Sequence, residues 1–187
     1  MQETALDYDT LGWISYEDYL RIERETGIRH EYIGGELYAM VGASRRHNEI
    51  SGQIYSTLRT GARGSGCNVY LLDTKLRVKN HVTYYPDVMV TCDPTDTDPL
   101  EVKRPCLVVE VLSPGTERTD RREKLISYSN MPSVQAYLIV SQDQRLVVRN
   151  WRTGPGSEDW QTELHTSGTL PLPCPEMVLS LEDIYAE

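Results

Sequence analysis

The chain has 187 residues, 39% hydrophobic and 25% charged, a composition typical of a globular protein with a single domain over residues 1–187. Its net charge of −9 argues against a general polyanion-binding protein, because Lys and Arg contacts to phosphate supply most non-specific affinity for nucleic acid. No apolar run approaches the ~20 residues of a membrane span, and the N-terminus has no signal-peptide pattern. We therefore expect a cytoplasmic protein that does not interact with membranes.

The four cysteines are far apart in the sequence and form no C-x-x-C pair; they are Cys67, Cys92, Cys106 and Cys174. Closely spaced pairs are the usual sequence signature of a zinc site, and disulfides are rare in reducing compartments. The sequence therefore predicts free thiols and argues against a zinc site.

The predicted elements are, in chain order, a helix at 15–25, strands at 30–33 and 36–40, a helix at 44–59, strands at 69–72, 75–79, 84–91 and 107–112, a helix at 120–129, and strands at 136–140 and 145–149. Ser15, Ser44 and Asp120 are expected to cap the three helices. The pair Gly34-Gly35 predicts a two-residue hairpin turn. The tail after Trp151 is rich in Gly and Pro and has one short apolar segment. This order predicts an α/β (α+β) fold around a mixed sheet.

The run Leu107–Leu112 contains five apolar residues and one carboxylate, Glu110. Such a run predicts a strand buried on both faces, where an ionised Glu is costly unless it is paired or binds a metal. A second β-rich run, 85–90, carries Asp87 near its start. Two acids on adjacent buried strands favour a divalent-metal site. Taken singly, Asp87 also fits a Pro-Asp turn, and Glu110 fits a paired structural carboxylate.

Lys124 lies one turn into the predicted helix that follows the Glu110 strand. A strand-break-helix connection can return the start of a helix to the end of the strand before it. An ammonium group there could orient or deprotonate a water molecule, or offset phosphate charge. The alternative is an exposed i,i+4 pair with Asp120, worth only ~0.3–0.5 kcal/mol.

These residues together resemble the Uma2 family, also called DUF820, over most of residues 15–150. The matching positions are Pro86-Asp87, the string Val109-Glu110-Val111-Leu112-Ser113-Pro114, then Thr116, Asp120, Lys124 and Tyr128, and at the front residues 30–37 with Ser44 and His47. The family is similar to the restriction-endonuclease-like PD-(D/E)xK nucleases. The resemblance implies a mixed central sheet flanked by helices, with a core at about 28–150 and an N-terminal helix and hairpin.

The resemblance also implies a function and a site. The expected protein is a Mg²⁺- or Mn²⁺-dependent nuclease that hydrolyses phosphodiester bonds, with DNA as the expected nucleic-acid partner. Asp87 and Glu110 would hold the metal, and Lys124 would join them in catalysis. The sequence does not decide between DNA and RNA, and it leaves a homodimer open.

One departure concerns the lysine. The general PD-(D/E)xK pattern has Lys two residues after the second acid, where this chain has Leu112, and the resemblance implies that Lys124 takes that role. Two other strings fit the literal spacing, Glu101-Val102-Lys103 and, more weakly, Asp73-Thr74-Lys75. Glu101 is expected to lie in a polar loop between two prolines, which argues against a central strand there.

Two further residues are candidates for the same site. Glu36, or Glu31 in its place, could add an acid to the metal shell, and His47 could line it. The apolar face on which His47 lies also fits a hydrogen-bonded core histidine. The rival function is a catalytically inactive nuclease-fold module for binding or interaction, which the acidic charge and the missing Glu-x-Lys favour.

Overall fold

Both N-terminal helices begin at the predicted serine caps. In this computed structural model, which describes residues 12–40, 42–113, 120–154 and 156–186, α1 spans Tyr16–Thr26 and α2 spans Arg45–Gly61. The Ser15 hydroxyl accepts a hydrogen bond from the Asp18 N–H, and the Ser44 hydroxyl accepts one from the His47 N–H, each at 3.1 Å. These bonds satisfy N–H groups that have no partner inside the helix.

Thirteen strands occupy the described parts of the chain: β1 His30–Ile33, β2 Glu36–Ala39, β3 Asn68–Leu71, β4 Lys75–Lys79, β5 Val82–Tyr84, β6 Val88–Thr91, β7 Glu101–Val102, β8 Leu107–Leu112, β9 Ala136–Ser141, β10 Val147–Arg152, β11 Trp160–His165, β12 Thr169–Pro173 and β13 Glu176–Ser180. A π-helical turn, Asp120–Lys124, continues into α3, Leu125–Ser129, and α4 spans Leu181–Ile184. The side chain of Asp120 and residue Thr116 lie outside the described residues, so the predicted cap and that part of the resemblance cannot be followed here. Among the described helices, none is both long and apolar enough to cross a membrane.

A six-stranded mixed sheet forms the centre of the fold, in the order β11-β10-β9-β8-β6-β3. The central strand β8 pairs with β9 in parallel and with β6 antiparallel, and all six of its residues are buried. On one face, Val109 and Val111 share a core cluster with residues of α2. On the other face, Val108 packs in a cluster that includes Tyr128 of α3. The predicted mixed central sheet flanked by helices is therefore present.

A second sheet has the order β2-β1-β5-β4-β7. One strand predicted from the sequence, 84–91, is divided between this sheet and the central sheet. Instead of a continuous strand over 84–91, the chain leaves the second sheet after Tyr84 and enters the central sheet at Val88. Pro86 lies in this crossover, where it does not have to donate a ladder hydrogen bond. Asp87 consequently lies at the junction of the two sheets.

The second sheet also corrects the prediction for Glu101, which does not lie in an open polar loop. It is buried in the two-residue strand β7, which pairs in parallel with β4 so that Lys75 is opposite Glu101. The prediction failed because the flanking segment is polar and proline-containing, and two residues give no periodicity to detect.

The tail holds more structure than its composition indicated. Strand β11 completes an edge of the central sheet, and β12 and β13 form a separate antiparallel hairpin. Leu170 and Leu172 of this hairpin are buried in the same cluster as α2. Pairing with partners far away in sequence, rather than local propensity, makes these segments strands.

The prediction of four free thiols is wrong for this structure. Cys67 is bonded to Cys92, and Cys106 is bonded to Cys174. The sequence separations of 25 and 68 residues gave no sign of this, because the pairs are brought together by strand ends and not by local spacing.

Candidate active site

Asp87 immediately precedes β6, and Glu110 lies in the neighbouring strand β8 of the central sheet. In the β6–β8 pair, Val88 is opposite Val109, and the same register continued by one residue places Asp87 opposite Glu110. Asp87 Oδ2 accepts a hydrogen bond from the N–H of Val111 at 2.7 Å. The predicted acids are therefore adjacent across two strands, which lie ~4.8 Å apart in a sheet.

The carboxylate of Glu110 is almost fully buried, and its donors among the described side chains include Lys124 and Tyr128. Its Oε1 accepts a hydrogen bond from Lys124 Nζ at 3.1 Å and one from the Tyr128 hydroxyl at 2.8 Å. Burial, followed by the charge of Glu110, raises the pKa of Tyr128 well above its usual value. The phenol therefore stays protonated and donates, which fixes the orientation of the Glu110 carboxylate.

Lys124 turns inward, as predicted, and it is not the exposed helix residue of the alternative interpretation. Only 3% of its surface is exposed. Its ammonium lies 2.8 Å from Glu31 Oε1 in strand β1 and 5.3 Å from the ring centre of Tyr84. The π-helical turn ends at Lys124 and places it beside Glu110. Because an unpaired buried charge is costly, Glu31 and Glu110 together make this position tenable.

His47 lies beside Asp87 on the other side of the strand pair. Its Nε2 is 3.3 Å from Asp87 Oδ2, and both side chains are largely buried. Burial alone lowers the pKa of His47, but the hydrogen bond and charge of Asp87, with a smaller contribution from the Val111 backbone, raise it above the usual value of 6.5. His47 is thus a buried, hydrogen-bonded histidine that directly contacts Asp87.

This shift predicts a pH-dependent contribution of His47 to stability when divalent ions are absent. A folded-state pKa above the unfolded value gives a contribution that is fully present below pH 6.5 and is lost as pH rises through the folded pKa. We expect His47→Gln to cost more stability at pH 6 than at pH 8.5, measured by urea unfolding in EDTA. In an Asp87→Asn background this pH-dependent difference should disappear; an equal cost at both pH values would contradict the assignment.

Of the two candidate additional acids, Glu31 is the one that contacts Lys124. Glu36, directly after the glycine turn, is exposed and accepts a hydrogen bond from the Tyr38 hydroxyl at 2.6 Å. Its described contacts do not include Lys124, Asp87 or Glu110. The register puts both glutamates on the same face of the second sheet, so the difference follows from position: β1 lies between β2 and β5, whereas β2 is the edge strand.

The alternative lysines belong to other ion pairs. Lys103 Nζ is 2.8 Å from Glu101 Oε1, and Arg77 is 3.3 Å from the same oxygen. Lys75 is 2.8 Å from Glu23 Oε2, within a buried network that sequence analysis missed. The available signal for Glu23 was its position four residues after Tyr19, on the buried face of α1.

The described side chains of the candidate site include three carboxylates. Glu31 and Glu110 both contact the ammonium of Lys124, and Asp87, beside His47, is opposite Glu110 in the continued strand register. Carboxylate oxygens are the ligands that Mg²⁺ prefers, and one or two of them with bound waters are a common site. The donor set therefore fits a divalent cation at Asp87 and Glu110.

Comparisons with known proteins show which family the chain resembles. The model of the Uma2 family, described as "Putative restriction endonuclease", matches residues 16–182. Two uncharacterized proteins of Synechocystis sp. (strain ATCC 27184 / PCC 6803 / Kazusa) are similar to the chain. One is 42% identical over 130 residues, 68% of each chain, and the other is 30% identical over 129 residues, 67% of this chain and 73% of the relative.

A solved structure shares the fold. The crystal structure of a putative nuclease belonging to DUF820 from Anabaena variabilis ATCC 29413 superposes with a TM-score of 0.72 at 19% identity, covering 92% of this chain and 98% of that one. At this identity the likeness concerns the fold, and it confirms the predicted restriction-endonuclease-like architecture. With a family match that extends over most of its length, the chain belongs to the Uma2 family.

Proposed function

We propose that this protein is a nuclease that hydrolyses phosphodiester bonds in DNA with the help of Mg²⁺ or Mn²⁺. The observation that carries the proposal is the buried Lys124–Glu110 ion pair next to Asp87, at the end of two central strands. A purely structural lysine would be easier to accommodate at the surface, because burial of an ion pair costs desolvation energy. The family description and the name of the Anabaena protein support the same reaction class.

Asp87 and Glu110 are the proposed metal ligands, because the strand register places these two carboxylate residues opposite each other. A bound divalent ion would supply Lewis-acid stabilisation of phosphate charge and a more acidic water molecule. Tyr128 and the Val111 N–H hold the two carboxylates in place through their hydrogen bonds. Such preorganised ligands need little rearrangement when the substrate arrives.

Lys124 is the proposed catalytic cation. Its ammonium, held by Glu31 at 2.8 Å, can orient the attacking water and offset the charge that develops on the phosphate oxygens. The water oxygen forms a bond to phosphorus as the bond to the 3′ oxygen breaks; the water loses a proton to solvent, and the leaving 3′ oxygen takes up a proton from solvent. The products are a 5′-phosphate and a 3′-hydroxyl.

The test is nicking of supercoiled plasmid DNA by the full chain. We expect conversion to the open-circular form with Mg²⁺ or Mn²⁺, and none when EDTA is present or when Asp87 is replaced by Asn. Circular dichroism would check that the variant is folded. A folded wild type that cleaves neither DNA nor RNA with either metal would overturn the proposal and favour an inactive binding module.

A further inference from the structure

The four cysteines converge at one end of the central sheet. Cys67 directly precedes β3 and Cys92 directly follows β6, and the β3–β6 register places these two opposite each other. Cys106 directly precedes β8, and its N–H donates to the Val90 carbonyl at 2.7 Å. Cys174 lies in the turn between β12 and β13. Four separate segments thus deliver one thiol each to the same place.

The sulfur atoms form a single cluster and not two independent pairs. Cys92 Sγ lies 3.2 Å from Cys174 Sγ and 3.6 Å from Cys106 Sγ, although neither is its disulfide partner. The sulfurs of Cys67, Cys92 and Cys174 all lie within 4.8 Å of one another. Two structural disulfides have no need of such mutual contact. Cys106 adjoins these three through its bond to Cys174 and its contact with Cys92. Four neighbouring cysteine sulfurs are the donor set of a structural zinc site, in which Zn–S bonds of ~2.3 Å set sulfur separations of ~3.8 Å.

We propose that the four cysteines, when reduced, bind one Zn²⁺ as a tetrathiolate. Two equivalents of a dithiol reductant convert the two disulfides to four thiols and are themselves oxidised to disulfides. One Zn²⁺ then replaces the four thiol protons, which are released, and the resulting centre has a charge of −2. The absence of a C-x-x-C pair does not weaken this site, because strand ends and a hairpin turn provide the convergence that local spacing provides in a zinc finger.

The surroundings of the cluster suit such a centre. Cys106 and Cys174 are buried in the apolar core, whereas Cys67 also borders a surface cavity of about 450 Å³. The same cavity is lined by Arg59 and Arg63, whose positive charges can offset the charge of the tetrathiolate. The cavity provides an entry path for the ion, and the apolar core protects the sulfurs on the other side.

This zinc site is separate from the proposed nuclease site. Asp87 precedes β6 and Cys92 follows it, so five residues of strand at ~3.3 Å each put about 16 Å between the two positions. Likewise, Cys106 precedes β8 and Glu110 lies near its other end. The zinc would join the hairpin that carries Cys174 to the central sheet, a structural role that does not depend on phosphodiester cleavage.

The experiment measures metal content of the full chain, purified with zinc and a phosphine reductant and then freed of loose metal. Elemental analysis should give about one zinc per chain, and Co²⁺ substitution should give the intense visible absorption of tetrahedral thiolate coordination. Cys92→Ser and Cys174→Ser should lower zinc to less than roughly a tenth of an equivalent. Glu110→Gln should keep the full equivalent, since it alters only the nuclease site.

If a cysteine variant fails to fold, the zinc content and the Co²⁺ spectrum of the wild type still test the proposal. A folded, reduced wild type that has four titratable thiols but retains no zinc would overturn the proposal. So would two disulfides that persist through reduction, or zinc that survives Cys92→Ser and is lost in Glu110→Gln. Loss of DNA nicking alone would bear on the nuclease proposal and not on this one.

Discussion

Replacing Lys124 with methionine is expected to lower the rate of metal-dependent DNA nicking by ~10²–10⁴-fold, the effect of removing a positioned proton-transfer or charge-stabilising group. Methionine keeps an unbranched side chain of similar length, so the space between α3 and the central sheet stays filled. What disappears is the ammonium that contacts Glu110 and Glu31. Single-turnover nicking of supercoiled plasmid with excess protein measures the change.

Lys75→Met is the matched control. Lys75 is also buried, forms a 2.8 Å ion pair with Glu23, and lies 4.7 Å from the ring centre of Tyr19. Both substitutions remove the cation from a buried pair, which typically costs 3–5 kcal/mol of stability. Only Lys124→Met should slow cleavage among variants that remain folded. Equal rates for the two variants, or a wild-type rate for Lys124→Met, would remove Lys124 from the mechanism.

Local signals predicted the elements that depend on local chemistry. Serine caps defined the starts of α1 and α2, and two glycines with positive φ, Gly34 and Gly35, defined the first hairpin. Strand β7 and the tail strands were missed because their stability comes from partners distant in sequence. Pro86 alone does not show whether a strand is interrupted or begins there. The answer depends on which sheet the residues before it and the residues after it join.

The same distinction holds for the candidate site: residues with a local signal could be predicted, and contacts between distant segments could not. Glu110 could be predicted because a carboxylate in an apolar run is chemically anomalous, and its anomaly does not depend on any partner. The contact of Lys124 with Glu31 was not predictable, since 93 residues separate them and the side chains meet only through the packing of two sheets. The cysteine cluster is the extreme case. Each thiol is unremarkable in its own segment, and only the topology of β3, β6, β8 and the C-terminal hairpin brings them together.

Glu110→Gln is expected to weaken Mn²⁺ binding by at least ~10²-fold, whereas Glu101→Gln should leave the affinity unchanged. Loss of a group that merely orients a ligand costs 10–100-fold, so loss of a ligand should cost no less. Both acids are buried, and both substitutions preserve side-chain shape while removing one negative charge.

The two carboxylates differ in their partners. Glu101 is hydrogen-bonded by Tyr16 and ion-paired with Arg77 and Lys103, so its charge is already compensated by two cations. Glu110 shares the ammonium of Lys124 with Glu31, and Asp87 is opposite Glu110 in the continued strand register, so carboxylates are grouped here where a divalent ion could bind. Isothermal titration with Mn²⁺ measures both variants, and thermal unfolding checks their folds. Equal losses, or a greater loss from Glu101→Gln, would move the metal site to the Glu101-Val102-Lys103 string, which has the literal spacing of the PD-(D/E)xK pattern.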